Sequence, residues 1–99
     1  LEEVLLYDEG GWIMEGSVRN VAFWRDNRWV TPPLHRGGLN GVVRRWLLEN
    51  GRVIEEDVRK EDVRVGEVVL LSNGVEGCSL GVVHTAVRLE VQQECHTWE

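Results

Sequence analysis

Asn20-Val21-Ala22-Phe23-Trp24-Arg25-Asp26-Asn27-Arg28-Trp29-Val30-Thr31-Pro32-Pro33 is the stretch on which the fold turns. Side chains of a strand alternate between its two faces, so the unbroken apolar run Val21 to Trp24 predicts a strand covered on both sides. Asp26-Asn27-Arg28 turns that strand back into Trp29-Val30-Thr31, which makes a hairpin. Pro32-Pro33 ends it, because proline has no N–H to give to a ladder. Upstream, Val4 to Tyr7 and Trp12 to Met14 flank Asp8-Glu9-Gly10-Gly11, a second hairpin with its own turn signal. Downstream, Arg36-Gly37-Gly38-Leu39-Asn40-Gly41 reads as a flexible loop. From Gly41 to Asn50, Val43, Trp46 and Leu47 recur at helical spacing, with Asn40 placed as N-cap and Asn50-Gly51 as the stop.

The remaining elements are shorter. Arg52 to Val58 predicts a half-exposed strand, Arg59 to Gly66 one helical turn, and Val68 to Leu71 a buried strand ending in Ser72-Asn73-Gly74. Val83, Thr85, Val87, Leu89 and Val91 alternate with His84, Arg88, Glu90 and Gln92, a strand exposed on one side. The expected class is α/β (α+β): a mixed, mostly antiparallel sheet with one main helix.

The chain has 99 residues, 42% hydrophobic and 28% charged, enough for one core. Its 11 basic and 17 acidic residues give a net charge of −6, spread along the chain, which argues against nucleic acid and anionic membranes as partners. No apolar run approaches the roughly 20 residues that span a bilayer, and Leu1-Glu2-Glu3 lacks a basic leader, so a cytoplasmic location is expected. Leu1 stands directly before a strand-like run, which reads as a piece of something longer. Cys78 and Cys95 form neither a disulfide framework nor a metal spacing, and no metal is expected. The five Trp residues are scattered through different elements and read as packing residues rather than a base-stacking platform.

Three places can carry chemistry. The first N–H groups of a helix have no intrahelical partners and the helix dipole favours negative charge there, so glycines at 37, 38 and 41 would let a phosphate approach the backbone. Alone, such a loop is more often a plain connection, and no P-loop lysine follows it. Glu15, between an apolar strand end and Gly16-Ser17, is either an exposed turn carboxylate or an acid held for a cationic partner. Ser72-Asn73-Gly74 is a small polar turn that suits an anion on backbone N–H groups, or serves simply as a loop.

In combination, Glu15-Gly16-Ser17 with Asn20 to Trp24, Val30 to Leu34, Gly38 to Arg44, and Glu67 through Gly74 resemble the C-terminal domain of fold-type IV pyridoxal-phosphate enzymes. These are the class IV aminotransferases and aminodeoxychorismate lyases. Order and spacing match across about residues 4 to 83. Gly38-Leu39-Asn40-Gly41 and Leu71-Ser72-Asn73-Gly74-Val75 are most similar to the fungal lyases. The resemblance implies pyridoxal 5′-phosphate as cofactor, with Glu15 holding the pyridine nitrogen protonated and Leu39 packed on the ring. It further implies that the Val42 and Val43 N–H groups, beside Gly41, bind the phosphate, and that Asn73 and Gly74 close its other side. Val43 departs from the Thr of many relatives, and Glu76 from an Arg common in fungal lyases.

The family's chemistry runs through a Schiff base on a lysine well upstream of the Glu15 position. The single lysine here, Lys60, lies among Arg59, Glu61 and Asp62 and is read as a solvated surface residue, so no catalytic residue is assigned within the chain. The parent enzyme implied is a cytosolic lyase that releases pyruvate and 4-aminobenzoate from a small amino substrate in folate synthesis. The rivals are an aminotransferase of branched-chain or D-amino acids and an inactive domain used for binding or assembly. Either a homo-oligomer or a missing N-terminal domain is expected to cover apolar surface.

Overall fold

The computed structural model describes residues 3–16, 19–75 and 77–84. Strands β1 (Leu5–Tyr7) and β2 (Ile13–Gly16) form an antiparallel hairpin. The main sheet has five strands in the order β5-β4-β3-β6-β7, where β3 is Asn20–Arg25, β4 is Arg28–Thr31 and β5 is Val53–Glu55. The remaining two are β6 (Val68–Asn73) and β7 (Gly77–Val82). All its pairings are antiparallel except β4 with β5. Parallel neighbours need a crossover, and helix α1 (Val42–Glu49) supplies it.

The turn between β3 and β4 is set locally. Asp26 and Asn27 both take positive φ, at 51° and 64°, as the two central residues of a type I′ hairpin turn require. Asn and Asp tolerate that region better than other residues with a side chain.

Central strand β3 is buried from both sides, as expected. Val21 and Phe23 face a core made with Leu5, Tyr7, Ile13, Val69 and Leu71, so the β1–β2 hairpin covers one face. Ala22 faces the opposite way, onto Leu47 of α1 and Val53. The second covering layer thus comes from the chain itself. Trp24 corrects the reading of a fully covered run: it is 48% exposed, because α1 does not extend over that end of the sheet, and it meets Trp29 edge-on at 5.2 Å. Val68 lies beside it in the same uncovered region and is exposed as well.

Two ion pairs lock the layers together. Arg19 and Glu3 are both buried and meet at 2.9 Å, with the Arg19 N–H donating to the second carboxylate oxygen at the same distance. Arg44, buried on α1, donates to Glu55 at 2.5 Å and to the Pro32 carbonyl at 3.0 Å. A buried charge without such partners would be costly, so these pairs hold geometry rather than supply net stability.

The one-turn segment expected after residue 59 is a 3-10 turn at Lys60–Asp62. Lys60 corrects the reading of a solvated lysine. Its side chain is only 15% exposed, with Nζ 2.6 Å from Glu61 and 5.7 Å from the centre of the Tyr7 ring. Hydrogen bonds from Lys60 and Arg59 lower the Glu61 carboxyl to about 2. The strand expected over Val83 to Gln92 lies, from Thr85 onward, outside the described residues, as does Glu76. The strand that does complete the sheet, β7, contains two glycines, and of its alternating apolar residues, Cys78 and Leu80 stay exposed.

Two outcomes follow from this packing. Phe23→Ala removes a side chain with 0% exposure and should cost about 3–5 kcal/mol, against about 0.5 kcal/mol or less for exposed Leu80→Ala, read from urea unfolding. Because the folded Glu61 carboxyl is depressed, its contribution to stability is present above the ordinary carboxylate range and is lost as pH falls toward about 2. Comparing Glu61→Gln with the parent across that window should show the two stabilities converging in acid.

Candidate functional site

The loop between β4 and α1 is laid against β2 and β3. A 3-10 turn at Leu34–Arg36 ends in Gly37, whose φ of 107° only glycine adopts without strain. The Leu39 N–H then donates to Glu15 Oε1 at 3.0 Å, and the Leu39 carbonyl accepts from Asn20 Nδ2 at 2.9 Å. Both polar backbone groups of one loop residue are therefore held by side chains from two different strands, while its own side chain is 73% exposed.

Gly41 follows in tight contact with Asn20: a Cβ at this position would collide with Asn20 Oδ1. The N-cap of α1 is Gly41 rather than Asn40, and no side chain caps it. Asn40 faces Arg44 instead, at a long 3.5 Å, because Asn20 pins the chain one residue further on. The opening amides of α1 at Val42 and Val43 thus have no side-chain cap from the N-cap residue. The cap on the other end is as expected, with Asn50 donating from its backbone and side chain to the Trp46 carbonyl.

The other wall is the end of β6. Pairing of Asn20 with Ser72 sets that end beside the start of β3, with Ser72 buried. Asn73 Oδ1 accepts the Val75 N–H at 3.0 Å, which shapes the turn into β7. Together Glu15, Gly16, Asn20, Leu39, Gly41, Ser72, Asn73 and Gly74 line a cleft of about 210 Å³.

Five of the seven residues expected at a site meet here: Glu15, Leu39, Gly41, Asn73 and Gly74. Val42 and Val43 are not part of the cleft lining: the Val42 side chain is exposed, and that of Val43 packs with Ala22, Leu47 and Val53. Asn20 was not singled out by the sequence, although it stands in the motif that resembles the family, and Ser72 was singled out only as part of the Ser72-Asn73-Gly74 turn. Their partnership depends on the β3–β6 register, which no local pattern announces. A larger cleft of about 510 Å³ opens at the far end of β3, lined by Trp24, Arg25, Asp26, Trp29, Arg64, Glu67 and Val68. None of the expected residues reaches it, and its Arg25 is tied to Glu67 at 2.8 Å.

Among the described residues, no arginine or lysine lines the smaller cleft, so an anion there would rely on backbone amides and the dipole of α1. Its acid, Glu15, is oriented by the Leu39 amide through Oε1 alone. Among the described residues, no helix is long and apolar enough to cross a membrane.

The amino-transferase class IV profile matches residues 1–80. Aminodeoxychorismate lyase of Saccharomyces cerevisiae is 41% identical over 88 residues, which cover 84% of this chain and 24% of that protein. A Schizosaccharomyces pombe relative is 41% identical over 85 residues, covering 83% of this chain and 37% of its own. The chain therefore spans well under half the length of these curated relatives. Branched-chain aminotransferase from Thermoproteus uzoniensis superposes with a TM-score of 0.70 over 89% of this chain and 31% of that one, at 20% identity, a likeness of fold. With motif order, sheet topology and profile in agreement, the chain belongs to the class IV amino-transferase family, whose enzymes depend on pyridoxal 5′-phosphate.

Proposed function

We propose that this chain is the cofactor-binding part of a cytoplasmic, dimeric aminodeoxychorismate lyase. The whole enzyme would release pyruvate and 4-aminobenzoate from its amino substrate. The observation that carries the reading is the Glu15 to Leu39 contact, which sets a carboxylate and the start of α1 on one cleft. The named yeast relative supports the lyase over a transaminase.

The residues present fit the cofactor. When bound, pyridoxal phosphate supplies an electron sink for charge that develops on the amino substrate. Glu15 would hold a proton on the ring nitrogen, because its carboxylate is anchored through one oxygen and keeps the other for the ring. Leu39 presents an exposed apolar side chain at the cleft wall, suited to a ring face. The amides of Val42 and Val43, with the Asn73-Gly74 turn opposite, would take the phosphate, and Gly41 lets the chain pass so close to Asn20 that a Cβ there would collide with it. A cleft of about 210 Å³ is small beside the roughly 300–1,000 Å³ of typical ligand sites, in keeping with one wall of a site completed elsewhere in the enzyme. We place the family's lysine outside these residues, since Lys60 sits at the Gly10–Trp12 end of the hairpin, paired with Glu61.

Titrating the labelled chain with inorganic phosphate and then with pyridoxal phosphate should shift the amides of Gly41 to Val43 and of Asn73-Gly74. Glu15→Ala should leave the phosphate response in place and weaken pyridoxal phosphate by about 10-fold or more, the worth of a charged hydrogen bond. Shifts confined to the Trp24–Trp29 cleft would reject the assignment.

A longer protein that contains this segment should form pyruvate from aminodeoxychorismate without any 2-oxo acid. Strict dependence on a 2-oxo acid acceptor would favour the aminotransferase, and neither activity would leave a binding or assembly module.

A further inference from the structure

The glycine-rich loop that carries Leu39 has to be held at both ends if its amide is to stay on Glu15, because glycine loses more conformational freedom on ordering than any other residue. Its downstream part is fixed by Asn20, which holds the Leu39 carbonyl, and Arg44 of α1 reaches back to the Pro32 carbonyl ahead of the loop. Its upstream end begins at Arg36, which is not among the residues that line the cleft described above.

Arg36 makes an unusual number of directed contacts for a residue at the surface. Nε donates to Asp57 Oδ1 at 2.8 Å and Nη2 to Asp57 Oδ2 at 3.0 Å, a bidentate fork. Nη1 lies 3.6 Å from Asp8 Oδ2. The guanidinium carbon stands 4.6 Å from the centre of the Trp12 ring, on which Arg59 also rests at 4.5 Å. Asp8 is itself occupied, since its Oδ1 accepts the Gly10 and Trp12 amides at 3.0 Å and so builds the β1–β2 turn. One side chain thus joins the hairpin that carries Glu15, the segment after β5, and the loop that carries Leu39.

We propose that Arg36 is a positioning residue for the cofactor site: by clamping the loop onto the Asp8–Trp12 turn and Asp57, it holds the Leu39 amide on Glu15. The inference rests on the reading of that cleft as the pyridoxal-phosphate site. Partly exposed ion pairs contribute little stability, so the value of the clamp lies in geometry. The Arg36 fork also holds the Asp57 carboxyl below its ordinary range, which keeps the clamp charged at neutral pH.

The test uses the amide signal of Leu39 in the labelled chain, with no cofactor present. In the parent background, Glu15→Gln should move this amide signal, a response that reports the bond between the Leu39 amide and Glu15 Oε1. Arg36→Met should lose the response while the spectrum stays dispersed, and Arg36→Lys, which keeps the charge without the fork, should restore part of it. A folded Arg36→Met chain with an unchanged Leu39 response would overturn the proposal. If Arg36→Met does not fold, Asp57→Asn, which leaves the guanidinium on Trp12, decides by the same signal. Collapse of both variants would make the cluster a stability element and overturn the positioning role. Failure of pyridoxal phosphate to bind a chain whose Leu39 response is intact would reject the functional reading alone.

Discussion

Strand β3 has lost water on both faces, and a strand so placed must also have both edges paired, since an unpaired buried amide costs as much as a lost hydrogen bond. This constraint organises the molecule. β4 and β6 take the two edges, the β1–β2 hairpin covers Val21 and Phe23, and α1 covers Ala22. The ladder from β3 to β6 then brings Asn20 beside Ser72, and the hairpin delivers the end of β2 to the same corner. The cleft is where three independently fixed chain segments run out together.

Charge at that corner is arranged by exclusion. Arg19, Arg25, Arg36 and Arg44 are each committed to a carboxylate, so these four cations are engaged in holding structure. What remains at the cleft, among the described residues, is one acid, Glu15, with backbone amides and the side chains of Asn20, Ser72 and Asn73. That division suits a ligand with a basic ring nitrogen at one end and a phosphate at the other, and it does so in a chain of net charge −6. A hydroxyl at residue 43 would have little part in it, because the side chain there is turned toward the helix-covered core.

The same logic explains where the sequence was misleading. Asn40 has the residue type of an N-cap, yet Asn20, twenty positions earlier, holds the Leu39 carbonyl and moves the cap to Gly41. Lys60 stands among charges and looks solvated, yet the aromatic ring of Tyr7 and the carboxylate of Glu61 draw it inward. Trp24 continues an apolar run, but a helix of eight residues is too short to cover the whole face. Strand β7 alternates at Cys78, Leu80 and Val82 but is interrupted by two glycines and leaves Cys78 and Leu80 exposed, so pairing along β6, not burial of an apolar face, holds it.

By itself, the sequence determined what is encoded within a few residues of each position. The two hairpins, the positive-φ turn at Asp26-Asn27, the proline stop, the helix and its Asn50 end all follow from local preference and periodicity. The motif order, read as a whole, also determined the family and the residues worth watching. Tertiary structure alone decided which of those residues meet: that Leu39 binds Glu15, that Asn20 and Ser72 belong to the cleft, and that Arg36 reaches across to Asp57 and Asp8. These contacts join residues far apart in the chain, and their geometry is set by strand register and layer packing, which no short window of sequence contains.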